Sequence, residues 1–404
     1  MAEHETAKER HERWKKVAEN EAEAARARFA VLNAIFDNDF VPAFTIQSTE
    51  AAEAAEATQR AFEARETEVS PDGFVEYRPG SGDWPVVVCC PHGGDERPDS
   101  VPDRSSGDRA RDAGASDVAD AVFAGFSNYS RGRAALVTMR LARSKCDVDG
   151  DRASCCEGED AGALAAYDWY HGKIAEALAE AVRIHDHCLL FEVRCQDRAP
   201  GVVEFGYMVA KGDLETLDAD GLDALAPTSL DALTRCDVEP SRAAMIRGRH
   251  SLSTLLNVKG FAATPDHLAD EPVPATTQAF GHALAHYGAP ATLGVPENDW
   301  NRKVAAVQID APRDGFATDD EKIFIIEDPR VLTDEEKRAK FGDELCDATR
   351  CFLWTYAAWI YKMPFEQPTD EAIMLADGVH GGVHPFKKHD TSRYFGGISH
   401  VHDY

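Results

Sequence analysis

The sequence predicts an α/β protein built as a three-layer sandwich, with helices on both faces of a mixed, mostly parallel sheet. Two observations predict this class. Short, wholly apolar runs such as Val86–Cys90 are typical of strands that are buried on both faces. Helical segments alternate with these runs along the chain, an order typical of a sheet covered by helices. In such folds the loops after the carboxyl ends of the strands build the functional site.

The elements follow from these patterns in chain order. An apolar helical period, or a charged and Ala-rich composition, predicts helices over 5–36, 49–66, 116–126, 161–184 and 333–362, with short ones in 214–245. Apolar runs predict strands over 86–90, 134–140, 187–193, 203–209 and 304–309. A Pro and Gly cluster at 70–85 precedes the first strand. We expect an N-terminal helical extension over 1–70, an α/β domain over 71–330, and C-terminal helices with a His-rich tail over 331–404.

Composition excludes several classes of protein. The chain has 404 residues, 71 Asp plus Glu, 43 Lys plus Arg and a formal net charge of -28, so most of its surface repels a nucleic-acid backbone. No apolar run approaches the roughly 20 residues that a membrane span needs, and the first residues are charged. The 10 cysteines, without a secretory signal, predict reduced thiols. We therefore expect a soluble cytoplasmic protein with no nucleic-acid or membrane partner.

The sharpest local signal is the segment Pro91–Pro98, which follows the first apolar strand and reads PHGGDERP. A His at the carboxyl end of a strand is how many zinc hydrolases present their first ligand, with a carboxylate nearby as second ligand or base. The glycines after His92 are expected to let a ligand approach the backbone. A His that only caps a turn is the alternative.

Several later segments strengthen the first interpretation. They are Arg111–Ala115, Arg143–Asp147, Tyr170–Gly172, Val203–Tyr207, Arg247–Leu252, Phe280–Gly288 and Val307–Asp310. These segments and Pro91–Gly94 follow one another in this order over about residues 84–313. Through them the chain resembles the N-formylglutamate amidohydrolase family. The resemblance implies a hydrolase-like α/β fold, zinc, and hydrolysis of a small N-acyl amino acid.

The resemblance also implies roles for particular residues. A divalent ion would be held by His92 with Asp112 or Glu96. The general base would be Asp310 or Glu192, and the substrate carboxylate would be gripped by Arg143 or Arg194. The remaining substrate-binding residues would be Tyr170, His171 and Gln308.

The chain departs from the family where one strand normally ends in Asp-Leu-His, because it has Glu192-Val193-Arg194 instead. A guanidinium about 4 Å from a divalent ion costs roughly 4 kcal/mol per unit of charge at an effective dielectric near 20. Two more departures are Asp147–Gly150, which lacks the family's Arg, and Gln308–Asp310, which ends in a shorter carboxylate.

Two hypotheses follow from these departures. Either Arg194 binds the substrate carboxylate while Glu192, His92 and Asp112 hold a weaker metal, or the chain is a catalytically inactive, metal-free relative that serves as a binding or structural protein. In the second case the terminal extensions are expected to dock a protein partner. Both hypotheses require His92 and Arg194 to face each other across one pocket.

Some other polar residues are expected to have ordinary roles. Asp147–Asp151 resembles the start of a calcium loop but lacks the later Glu ligand. His185 and His187 are expected to be solvated. The C-terminal segment is expected to be an ordinary polar tail, and it contains His380, His384, His389, His400 and His402.

Overall fold

The computed structural model describes residues 65–130, 133–216, 219–225, 228–233, 241–265, 287, 303–318 and 332–356. All of them belong to one compact unit, Thr58–Pro364. The helices expected over 5–36 and 49–66 and the His-rich tail lie outside the described residues, apart from residues 65 and 66.

Eight strands of the described chain form one sheet in the order β1-β2-β4-β3-β5-β8-β6-β7. They are β1 (Glu68–Val69), β2 (Val75–Arg78), β3 (Val86–Cys90), β4 (Ala135–Met139), β5 (Cys188–Gln196), β6 (Val203–Gly206), β7 (Ala263–Thr264) and β8 (Val304–Pro312). The pairs β3/β4, β3/β5, β5/β8 and β6/β7 are parallel, and β1/β2, β2/β4 and β6/β8 are antiparallel. The predicted mixed, mostly parallel sheet is confirmed.

Seven α-helices lie in the described ranges. They are α1 (Ala115–Ser130), α2 (Ala161–His185), α3 (Lys211–Thr216), α4 (Ala219–Ala224), α5 (Arg242–Arg247), α6 (Leu252–Val258) and α7 (Asp334–Tyr356). None of them combines the length and the apolar composition that a membrane span needs.

Successive residues of β3 contact different helices, because neighbouring side chains of a strand point to opposite faces of the sheet. The thiol of Cys89 interacts with Tyr170 of α2. The thiol of Cys90, the next residue, interacts with Ser116 of α1. Helices α1 and α2 therefore cover opposite faces of the sheet, which confirms the three-layer arrangement.

The centre of the sheet is buried on both faces, since every residue of β3, β5 and β8 is buried. This explains why an apolar run without alternation predicted β3 correctly. Five buried polar residues lie among the apolar residues of β5 and β8: Glu192, Arg194, Gln196, Gln308 and Asp310. A buried charge costs several kcal/mol unless it is paired, so these residues need partners.

Strand boundaries differ from the prediction where tertiary contacts decide them. β5 continues past 193 because its ladder with β8 extends to the pair Gln196 and Pro312. β6 ends before 209, and Met208 has a φ of 60°, which an extended strand excludes. β2 was missed inside the Pro and Gly cluster, although Val75 and Tyr77 are buried in alternation with less buried neighbours.

Helix α7, from the predicted C-terminal segment, packs on α1 of the α/β domain. Two glycines make this contact possible. A Cβ at Gly125 would overlap the carbonyl oxygen of Gly342, and a Cβ at Gly342 would overlap that of Ala121. The described part of the C-terminal segment is thus part of the same compact unit as the sheet.

Candidate metal centre

The loop after β3 carries His92, whose side chain is fully buried. Protein atoms occupy the positions where side chains of the two following glycines would stand. A Cβ at Gly93 would overlap Ser116, and a Cβ at Gly94 would overlap the carbonyl group of Arg140. Their lack of a side chain allows these protein atoms to approach closely.

Two carboxylates from the loop after β4 face the imidazole of His92. The Nε2 atom of His92 lies 3.0 Å from Oδ1 of Asp147 and 3.4 Å from Oδ2 of Asp149. One potential ligand atom from each of the three residues lies within 4.8 Å of the other two. Because β3 and β4 are parallel neighbours, their carboxyl ends bring these two loops together.

The loop that carries both aspartates is held by side chains of α2. His171 Nε2 lies 3.0 Å from the carbonyl oxygen of Val148, the residue between the aspartates. The other ring nitrogen of His171 lies 3.0 Å from the hydroxyl of Tyr287. The hydroxyl of Tyr167 donates to the carbonyl oxygen of Gly150 at 3.1 Å. His171, expected to bind substrate, thus uses both ring nitrogens to hold protein atoms.

A third aspartate lies on the other side of the imidazole. Oδ2 of Asp112 is 3.5 Å from Nδ1 of His92, which has no hydrogen-bond partner among the described residues. The backbone N–H of Asp112 donates to the carbonyl oxygen of His92 at 3.1 Å. His92 is therefore faced by acceptor oxygens at both nitrogens, an arrangement that a proton or a metal ion satisfies.

Guanidinium groups neutralise much of this negative charge. Oδ2 of Asp147 lies 3.2 Å from Nη1 of Arg104 and 3.3 Å from Nε of Arg143. Burial by itself raises the pKa of Asp147, but His92, Arg143 and Arg104 outweigh it and bring this pKa to about 2. Asp147 is therefore ionised at neutral pH, as a metal ligand must be.

Arg194 is the third guanidinium of the site. Its Nη2 contacts Oδ2 of Asp149, and its Nε donates to Oε1 of the fully buried Glu192 at 2.6 Å. Burial lowers the pKa of Arg194, while Asp310 and Asp112 act in the opposite direction. His92 and Arg194 thus lie against the same carboxylate, that of Asp149.

The expected base Asp310 belongs to a neighbouring polar cluster on β8 and β6. Its Oδ2 accepts from Nε2 of Gln308 at 2.8 Å and from Nη2 of Arg198 at 2.5 Å. The same Arg198 nitrogen lies 2.9 Å from Oε2 of the buried Glu204. The sequence analysis assigned no role to Arg198 or Glu204, although a Glu within the apolar run of β6 is a usable signal.

Several further residues that the sequence singled out contact other groups. Oε1 of Glu96 is 2.7 Å from Nη2 of Arg140, and Glu96 is not in the group with His92. The hydroxyl of Tyr170 is buried beside Cys89, and burial raises its pKa. Arg143 contacts Asp147 and also Asp108, at 2.7 Å. His185, expected to be solvated, is instead buried, and its Nε2 lies 2.8 Å from the carbonyl oxygen of Gly82.

Asp147 and Asp149 are the members of the group that the sequence analysis missed. The sequence analysis placed Asp147 in a family-like segment and both aspartates in a stretch that resembles an incomplete calcium loop, and it gave neither of them a role in binding metal. The signal that could have found them is a pair of acidic residues close together in the loop that follows the second core strand of a parallel pair.

Comparisons with known proteins find solved structures of low similarity, three of which are described here. A gene product of Agrobacterium tumefaciens is 15% identical with a TM-score of 0.38, and the match covers 70% of this chain and 95% of that one. An N-formylglutamate amidohydrolase of Ralstonia eutropha is 14% identical with a TM-score of 0.36, covering 70% and 97%. A metallo-carboxypeptidase of Burkholderia cenocepacia is 10% identical with a TM-score of 0.33, covering 75% and 69%.

No protein-family model and no curated protein matches the chain. The identities and TM-scores of the three structures are too low to assign the chain to any of these families or to transfer an activity. The functional interpretation therefore depends on the site itself.

Proposed function

We propose that this protein is a metal-dependent hydrolase that cleaves the amide bond of a small N-acylated amino acid, in which His92, Asp147 and Asp149 hold the divalent ion. The observation that carries the proposal is the grouping of one imidazole and two carboxylates within 4.8 Å at the carboxyl ends of adjacent parallel strands. Asp112, behind His92, is the carboxylate that orients the ring.

The donor set suits a catalytic ion. One nitrogen and two carboxylate oxygens leave coordination positions open, as catalytic zinc sites with three protein ligands do, and manganese accepts the same donors. When bound, such an ion polarises a carbonyl group and lowers the pKa of a water molecule to about 7. Zinc is our first choice of metal because an imidazole is among the ligands.

The other polar residues supply proton transfer and substrate binding in this proposal. Either Glu192 or Asp310 is the carboxylate that would accept a proton from the attacking water. Glu192 is linked to the centre through Arg194, whose other end contacts Asp149. Arg194 and Arg143 are the groups that bind the substrate carboxylate, since a guanidinium presents two parallel N–H donors to it.

The experiment that tests this function measures metal content and turnover on the same preparation. Purified protein should contain about one zinc or manganese per chain, and it should release formate from N-formyl-L-glutamate. Asp147→Asn should lose both properties, whereas Asp168→Asn, in an exposed pair with Arg152, should keep both. A folded preparation that takes up no metal from added zinc or manganese and releases no formate would refute the proposal.

A second candidate function is a metal-free binding or structural protein. The contact between Arg194 and Asp149 favours it, because a guanidinium already neutralises a carboxylate that a metal would need. In that case the terminal extensions bind a protein partner. Isolation from the native source would reveal a stable complex, and a partner-free protein that turns over substrate would exclude this alternative.

A further inference from the structure

Arginines contact the two candidate aspartate ligands in different ways. Arg104 and Arg143 contact Oδ2 of Asp147, while the other oxygen of that carboxylate faces His92. Arg194 contacts Oδ2 of Asp149, which is the same oxygen that faces His92 at 3.4 Å. Arg194 therefore binds one of the inward oxygens, which are the carboxylate oxygens of Asp147 and Asp149 that face His92. A metal ion would bind to these same oxygens.

The position of Arg194 is built into the sheet. Its Nε donates to Glu192, which is fully buried two residues earlier on β5, so the stem of the side chain is fixed while the Nη2 end reaches Asp149. Like charges repel strongly in a buried site, so a guanidinium and a divalent ion cannot both contact one carboxylate oxygen without a large loss of affinity.

We propose that Arg194 is a built-in cation that competes with the divalent ion for Asp149, and that its displaced guanidinium then binds a carboxylate of the ligand. The inference rests on the proposed function in one respect, that the centre takes up a divalent ion. Arg194 neutralises Asp149 in the metal-free protein. On metal binding, its Nη2 end turns away from Asp149 while Nε stays on Glu192.

The competition makes metal and ligand depend on each other. A carboxylate that holds the displaced guanidinium removes the competitor from Asp149, so it strengthens metal binding. By linkage the metal strengthens carboxylate binding by the same factor. The ligand class is therefore a small carboxylate, and metal uptake is favoured when that ligand is present.

The test titrates purified protein with Mn²⁺ by calorimetry, in the absence and presence of glutarate, a dicarboxylate with no amide bond to hydrolyse. Three proteins are compared: the wild type, Arg194→Met and Arg143→Gln. The last is the matched control for the titration without glutarate, because it removes one positive charge beside Asp147 but leaves the oxygens that face His92 unchanged. Arg194→Met with Glu192→Gln is a fourth protein, in which no buried carboxylate is left unpaired.

We expect Arg194→Met to bind Mn²⁺ at least about tenfold more tightly than the wild type, and Arg143→Gln to show a smaller gain. Glutarate should raise the Mn²⁺ affinity of the wild type about fivefold or more and that of Arg194→Met not at all. If Arg194→Met fails to fold, the double variant should show the same tight and glutarate-independent binding.

The outcomes separate this inference from the proposed function. If neither Arg194 variant binds Mn²⁺ more tightly than Arg143→Gln, the inference is overturned, and turnover by the wild type still decides the hydrolase function. If an Arg194 variant binds tightly but the wild type hydrolyses no N-acyl amino acid, the inference stands and the hydrolase function fails. If no protein binds Mn²⁺ or Zn²⁺, both are overturned.

Discussion

Replacing Lys259 by Met should lower the free energy of unfolding by about 3 kcal/mol, because it leaves two buried carboxylates without their shared cation. The Nζ atom of Lys259, just after α6, lies 2.6 Å from Oε2 of Glu344 and 2.5 Å from Oδ2 of Asp347 on α7. The side chains of these three residues are between 11% and 17% exposed, so water screens them poorly.

The magnitude follows from what remains after the substitution. Loss of one partner of a buried ion pair typically costs about 3–5 kcal/mol. Here Lys340 still contacts Glu344 at 2.7 Å and Arg350 still contacts Asp347, so each carboxylate keeps one cation. The remaining cations place the expected loss at the lower end of that range.

Urea denaturation monitored by circular dichroism measures the loss, and Lys303→Met is the control. The Nζ of Lys303 is 2.5 Å from Oδ1 of Asp186, but both side chains are more than a third exposed, at 37% and 36%. An exposed pair contributes about 0–1 kcal/mol, so the control should be nearly neutral. Equal losses in the two variants would refute the reasoning that burial makes the Lys259 network strong.

Three further predictions concern the site, the pH dependence and the helix packing. His171→Phe removes the contact to Val148 and should weaken Mn²⁺ binding, measured by calorimetry, about 10- to 100-fold, which is more than Tyr287→Phe does. An unchanged Mn²⁺ affinity would show that the loop with Asp147 and Asp149 does not need the support of His171. Burial lowers the pKa of His185 to about 4, from about 6.5 when unfolded, so the unfolded state binds more protons between these values. The free energy of unfolding should have its full value above pH 6.5 and fall by about 3 kcal/mol as the pH drops to 4. Urea denaturation across that range should show a flatter dependence on pH for His185→Gln than for the wild type. Parallel pH dependences of the two proteins would contradict this origin. Gly342→Ala should destabilise the protein by about 1–3 kcal/mol in thermal unfolding, since its Cβ overlaps Ala121. The control Gly172→Ala, in open space on α2, should stabilise the protein slightly. A neutral Gly342→Ala would mean that α7 shifts freely on α1.

The functional interpretation depends on how the charges of the centre are balanced. Asp147, Asp149, Asp112 and Glu192 bring four carboxylates together, and Arg104, Arg143 and Arg194 provide three guanidinium groups. A centre in which carboxylates outnumber guanidinium groups attracts a cation, whereas one that already contains a guanidinium at an inward oxygen resists it. The metal titrations proposed above measure which of these two effects is larger.

The strands in the middle of the sheet were predictable because burial on both faces produces a local signal. Val86–Cys90 is apolar at every position, and no distant residue is needed to recognise it as a strand. The strand β2 was not recognised because its four residues depend on pairing with β1 and β4. The end of β6 was also misplaced, since the strand ends at Gly206 and the left-handed residue Met208 prevents its extension to 209.

Within the site, local signals identified His92 and Arg194 but not their common partner. His92 follows a buried strand and precedes two glycines, and Arg194 interrupts an apolar strand, so each is conspicuous in the chain. Asp149 is one of many acidic residues in a loop. Only the parallel pairing of β3 with β4 and of β3 with β5 brings it between the other two.

By itself the sequence therefore determined the fold class, the central strands and the residues whose chemistry conflicts with their local surroundings. These depend on burial pattern and composition, which neighbouring residues express. Tertiary structure alone decided which carboxylates face His92, that the glycines after it pack against protein atoms, and that His171 supports a loop. Such contacts join residues far apart in the chain, and their distances are set by strand order and helix packing, which no local pattern contains.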